Sequence, residues 1–119
     1  MATRDLTEDD FNDTVNGNDI VLIDFWASWC GPCRAFAPTF TAASDKHPDI
    51  VFGKVDTEAQ ERLAAAAEIR GIPTLMAFKK GHLVFNQAGA LPPAALDELI
   101  AEVRKLDIEA AIAEGTADL

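Results

Sequence analysis

The run Ile20-Val21-Leu22-Ile23-Asp24-Phe25-Trp26 constrains the fold of this 119-residue chain more than any other feature. Its positions are apolar without alternation, the pattern of a central strand covered on both faces. Such a strand calls for helices packed on two sides of one sheet. The exception is Asp24, a carboxyl placed where burial without a partner is costly.

The flanking segments supply those helices and further strands. Leu6-Thr7-Glu8-Asp9-Asp10-Phe11 opens a helix, with Thr7 capping, Asp10 answering it and Leu6 stapled to Phe11. Phe11 and Val15 share its buried face, and Asn16-Gly17-Asn18 ends it. Phe36, Phe40 and Ala43 recur at helical spacing, with Pro38 expected to kink the run. Val51–Val55 reads as a strand, Gln60–Ile69 as an alanine-rich helix, and Thr74–Phe78 as a third apolar strand. Lys79-Lys80-Gly81-His82 turns the chain into Leu83–Gln87, an antiparallel hairpin. Pro92-Pro93 starts a last helix with Leu96, Leu99, Ile100, Val103 and Leu106 in one apolar stripe.

The order predicts an α/β domain over residues 1–106, a three-layer sandwich with a central mixed β-sheet flanked by helices. Parallel neighbours are expected after the strands at residues 20 and 51, with the hairpin as the antiparallel edge. Residues 107–119 form an acidic C-terminal extension with four acids and no base. Its Ile108–Ile112 is expected to continue the last helix and Gly115-Thr116 to fray it. The extension carries no sustained apolar stripe, so the fold is expected to be complete by Leu106 and the end to be mobile.

Charge narrows the function. Ten Lys and Arg against twenty Asp and Glu leave a net charge of −10, which argues against nucleic acid and anionic membranes as partners. No apolar run approaches the ~20 residues of a membrane span. The acidic MATRDLTEDD does not resemble a signal peptide, so a cytoplasmic location is expected.

The two cysteines, Cys30 and Cys33, stand three apart at the junction of the central strand and the next helix. A helix N-terminus offers unpaired N–H groups and the positive end of the macrodipole, which stabilise a thiolate. Cys30 is expected at an exposed cap as nucleophile, and Cys33, covered in the first turn, as resolving thiol. Pro32 stiffens the turn. Rival readings are a zinc half-site, a structural disulfide and two inert cysteines. The first lacks ligands, since His47 and His82 are far apart and read as solvated; the second would constrain only a short loop. Asp24 reads as a proton-exchanging carboxyl with a raised pKa, against the alternative of a structural acid bonded to backbone.

The run from Val21 to Arg34, containing Trp29-Cys30-Gly31-Pro32-Cys33, resembles the active-site signature of the thioredoxin family. The likeness continues through Ala37-Pro38, Lys54-Val55-Asp56, Arg70-Gly71-Ile72-Pro73-Thr74 and Gly89-Ala90, and covers residues 5–106. It implies the thioredoxin fold and a general protein-disulfide reductase. By resemblance Asp24 serves proton transfer to or from Cys33, Lys54 modulates Asp24, and the Ile72–Pro73 bond is cis. Trp29, Gly31, Pro32, Gly71, Ile72, Pro73, Gly89 and Ala90 match client-binding positions. The resemblance further implies a monomer that binds no cofactor or metal. Its partners would be disulfide-containing clients and a flavin thioredoxin reductase carrying electrons from NADPH.

Overall fold

The computed structural model describes residues 3–115. Five strands form one mixed sheet in the order β1-β3-β2-β4-β5, built from β1 (Thr3–Asp5), β2 (Ile20–Trp26), β3 (Val51–Asp56), β4 (Thr74–Lys79) and β5 (His82–Ala88). The described helices are α1 (Phe11–Asn16), α2 (Gly31–Lys46), α3 (Glu61–Ala66), α4 (Pro93–Lys105) and α5 (Ile108–Ala113).

β2 is the middle strand, as its unbroken apolar run requires, and its alternate side chains feed two cores. Ile20 and Leu22 join Phe36, Phe40 and Ala43 of α2 and Leu96, Ile100 and Val103 of α4. Val21, Ile23 and Phe25 join Val15 of α1, with Phe11 and Leu63 packed against that cluster. Gly53 of β3 lets the second core close up, because a Cβ there would lie 2.5 Å from Leu6 Cδ1.

Several local expectations hold. The Thr7 amide donates to Asp10 Oδ1 (2.7 Å), the reciprocal half of a capping box ahead of α1. The β4–β5 hairpin turns on Lys80 and Gly81, both with positive φ. This is the backbone a tight two-residue turn needs. Pro38 lies inside α2, as its place in the Phe36, Phe40 and Ala43 run implies.

Three features differ from expectation. β4 lies antiparallel to β2, where a crossover from β3 was expected to give a parallel neighbour. The six residues of α3 span about 9 Å, too short to return the chain along a strand of about 20 Å. The chain therefore re-enters at the same pole, with Thr74 beside Phe25. α3 is also shorter than the Gln60–Ile69 helix expected, and Glu68 just beyond it has φ 57°. β1 was not anticipated, since Thr3–Asp5 carries no apolar pattern; it pairs in parallel with the open edge of β3.

The extension departs most. Asp107 breaks from α4 and caps a separate helix, accepting from the amides of Glu109 (3.1 Å) and Ala110 (3.2 Å). Ile108 and Ala111 of α5 are buried, so α5 packs on the domain after all. The fraying expected at Thr116 lies outside the described residues.

Candidate active site

β2 ends at Trp26 and α2 begins at Gly31, so the intervening turn delivers Cys30 to the mouth of the helix. Cys30 is the N-cap, in extended conformation, and the turn is closed by its amide donating to the Ala27 carbonyl (3.2 Å). Arg34 Nη1 donates to the Ser28 carbonyl (2.8 Å) and fastens the same turn. Cys30 and Cys33 are joined as a disulfide with Cα atoms 5.2 Å apart. The Cys33 amide donates to Cys30 Sγ at 3.1 Å. One sulfur therefore faces the helix N-terminus and receives an N–H, the arrangement that favours a thiolate there.

Exposure does not distinguish the two cysteines, contrary to the expectation of an exposed Cys30. Cys30 is 4% and Cys33 3% exposed. Ala27, Trp26 and Ile72 pack around both, and the Ile72 carbonyl oxygen lies 3.6 Å from Cys30 Sγ. The asymmetry of the pair resides in the amide on Cys30 Sγ.

The loop that covers the disulfide carries the cis Ile72–Pro73 bond. Thr74 Oγ1 donates to the Gly71 carbonyl, and the Gly89 amide donates to the Pro73 carbonyl (2.8 Å). Gly71, Ile72, Pro73 and Gly89 are thus brought together from two segments. Ala90 lies exposed next to Gly89, and Gly31 and Pro32 are exposed at the helix mouth. Trp29 is 63% exposed and borders a cleft of about 210 Å³ with Gly71 and Ile72.

Asp24 shares strand parity with Leu22 and Trp26 and so faces the α2 side of the sheet. It is fully buried, and neither carboxylate oxygen has a hydrogen-bond partner. Burial pushes its pKa from 3.8 up to about 6, and the Lys54 charge limits the rise. Lys54 is its register partner on β3, with Nζ 5.1 Å from the Trp26 ring centroid. Lys54 and Trp26 also line a cleft of about 240 Å³ that holds Asp56 and Gln60. The structural-acid reading, in which backbone donors satisfy Asp24, does not fit these unpartnered oxygens.

Two neighbours of the site were not anticipated. Trp29 Nε1–H donates to Glu58 Oε2 (2.9 Å), and Arg70 lines the Trp29 cleft. Residues 29 positions apart meet only because the β3–α3 loop folds back over the turn. His47, read as solvated, lies with Nδ1 3.0 Å from Arg104 Nη2. Among the described residues no cluster of three or more His, Cys, Asp or Glu side chains can hold a metal ion.

A dithiol–disulfide pair at a helix N-terminus, roofed by a cis-proline loop and following the strand that carries a buried carboxyl, defines a thiol–disulfide oxidoreductase on an α/β scaffold. The profile of the family described as Thioredoxin matches residues 2–102, and the chain belongs to the thioredoxin family. It is 54% identical over 108 residues to putative thioredoxin 2 of Streptomyces coelicolor, covering 91% of this chain and 81% of that one. It is 42% identical to a thioredoxin of Coprinus comatus, over 77% of this chain and 88% of that one. Among solved structures, a mutant thioredoxin from Halobacterium salinarum superposes with a TM-score of 0.82 at 32% identity, covering 89% of this chain and 94% of that one.

Proposed function

We propose that the protein is a general protein-disulfide reductase in which Cys30 is the nucleophile, Cys33 the resolving thiol and Asp24 the proton acceptor for Cys33. The Cys30 thiolate attacks one sulfur of a client disulfide. A Cys30–client disulfide forms, and the client's other sulfur leaves as a thiolate. Asp24 takes the proton of Cys33, whose thiolate attacks Cys30 Sγ and expels the second client sulfur. The client gains two electrons and ends as a dithiol, and the Cys30–Cys33 pair loses two and closes. Lys54 tunes the charge on Asp24. Trp29, Gly31, Pro32, Gly71, Ile72, Pro73, Gly89 and Ala90 receive an extended client segment.

An NADPH-dependent flavin thioredoxin reductase restores the dithiol, and the protein works as a monomer without a bound cofactor. A dithiol that must stay reduced to attack suits the reducing cytoplasm. The observation that carries this reading is the Cys33 amide directed at Cys30 Sγ, which supports the thiolate on that sulfur. The test is insulin-disulfide reduction with NADPH and a thioredoxin reductase, together with client trapping. Cys33→Ser should accumulate mixed disulfides and Cys30→Ser almost none; equal trapping would overturn the assignment.

A further inference from the structure

We propose that Glu58 is a positioning residue for this reaction, holding the Trp29 indole in place as one wall of the client groove. The inference rests on the reductase reading above. Trp29 is the most exposed large apolar side chain among the described residues, at 63%. Packing alone leaves such a ring free to change rotamer at little cost. It is instead tethered at its polar end, where Nε1–H donates to Glu58 Oε2 at 2.9 Å.

The tether is anchored at the other end. The Glu58 amide donates to Asp56 Oδ1 (2.9 Å), and the Ala59 amide lies 3.4 Å from the same oxygen. Thr57 donates twice to the Trp26 carbonyl, from its amide (2.9 Å) and from Oγ1 (3.0 Å). Trp26 ends β2, three residues before Trp29. The hydrogen bonds therefore close a ring from the end of β2 through the β3–α3 loop and back to the indole.

The cleft that Trp29 borders is about 210 Å³ and is lined also by Thr57, Ala64, Ile69, Gly71 and Ile72. That lining is mostly apolar and suits an apolar side chain of the client next to its disulfide. A wall set in place before binding spares the complex the cost of ordering it. The groove grips the client segment equally before and during sulfur attack, so Glu58 acts on KM and not on kcat.

The test compares Glu58→Ala and Glu58→Gln with the wild type, reading the Trp29 indole N–H by NMR and insulin reduction with dithiothreitol as electron source. The Trp26 indole serves as internal reference. Glu58→Ala should speed exchange of the Trp29 indole proton and raise KM about threefold to tenfold, with kcat within about twofold. Glu58→Gln keeps an acceptor oxygen and should restore both values. An unchanged KM in Glu58→Ala, a fall in kcat at constant KM, or a Glu58→Gln as impaired as the alanine variant would each overturn the proposal. Failure of the reductase reading would look different, as a wild-type protein that adds nothing to the dithiothreitol background.

Discussion

The two poles of the sheet treat buried charge in opposite ways. At the dithiol pole, Asp24 of β2 is fully buried with no hydrogen-bond partner for either oxygen. At the far pole, Lys79 of β4 is nearly as buried, but its ammonium donates to the carbonyls of Val103 (2.9 Å), Arg104 (3.0 Å) and Leu106 (2.8 Å). Three carbonyls at the end of α4, of which that of Val103 also accepts the Leu106 amide (3.2 Å), meet the three N–H donors of the ammonium. Lys79 is thus a fastener of the scaffold. Asp24 has only the Lys54 charge to offset its own and no hydrogen bond to hold it, and in the proposed mechanism what it loses in stability it returns as a proton acceptor poised near neutral pH. Burial alone does not separate the two roles, whereas partner count does.

Breaking the satisfied pole should have the largest effect. Lys79→Met takes the ammonium donor from the carbonyls of Arg104 and Leu106, leaves Val103 only the Leu106 amide, and should cost about 3 kcal/mol, read from denaturant unfolding at pH 7. Activity per folded molecule should not change, because the substitution lies at the end of the sheet opposite the disulfide. A cost near zero would mean that solvent serves those carbonyls equally well, and the contrast between the poles would collapse.

The unsatisfied pole should respond with the opposite sign. A carboxyl moved from 3.8 to about 6 costs the fold roughly 3 kcal/mol once ionised. Between those two values the folded protein keeps a proton that the unfolded chain has already lost. Stability from this group therefore falls as pH rises through that window, and the penalty is complete above about pH 6. Asp24→Ala removes the penalty and leaves a small cavity, so it should gain about 2 kcal/mol at pH 8 and lose about 1 kcal/mol below the unfolded carboxyl value, where only the cavity remains. Resolution of the mixed disulfide should slow in the same variant, most clearly from about pH 6 to neutral, where the wild-type carboxyl is ionised and Cys33 is not yet a thiolate on its own, while alkylation of reduced Cys30 changes little. A variant that is less stable yet fully active from acid to alkaline pH would make Asp24 structural.

A smaller effect should follow from removing residues 107–119. Burial of Ile108 and Ala111 is worth about 2 kcal/mol, and Lys79 keeps its Leu106 acceptor because that residue remains. Reductase activity should survive the truncation. An unchanged unfolding midpoint would show that α5 adds nothing to the scaffold pole.

How legible these poles were depends on the length scale of the interactions. β2, its middle position and Asp24 could be read from one unbroken apolar run, and the cysteine turn from four residues at a strand–helix junction. The hairpin was legible because Lys80-Gly81 is local turn chemistry. β1 was not, because Thr3–Asp5 owes its conformation to the open edge of β3 and carries no pattern of its own. Lys79 looked like part of the hairpin turn, since its acceptors lie 24 to 27 residues away. The burial of α5 was missed because two buried positions in one short helix do not make a stripe that stands out from an alanine-rich acidic tail. The Trp29–Glu58 pair and the burial of Cys30 both depend on loops folding over the turn, which no spacing in the sequence records.

The smallest effect should come from a second carboxyl beside the scaffold pole, which completes the contrast. Asp49 receives two hydrogen bonds from Arg104, 2.7 and 2.9 Å. That guanidinium holds its pKa well below the usual carboxylate range, at about 2. The sign is opposite to that of Asp24. The unfolded chain takes up the proton first as pH falls, so whatever Asp49 contributes is present above about 3.8 and disappears toward 2. Its depressed value nonetheless says little about stability, because the carboxyl is solvent-exposed and water screens both partners. Asp49→Asn should therefore leave the unfolding midpoint at pH 7 within measurement error of the wild type, and the residual difference should shrink further in 1 M salt (roughly a 3 Å screening length). A clear, salt-resistant loss would show that an exposed ion pair fastens α4 as firmly as the buried Lys79 does. Partner count, and not burial together with partner count, would then be the whole distinction between the two poles.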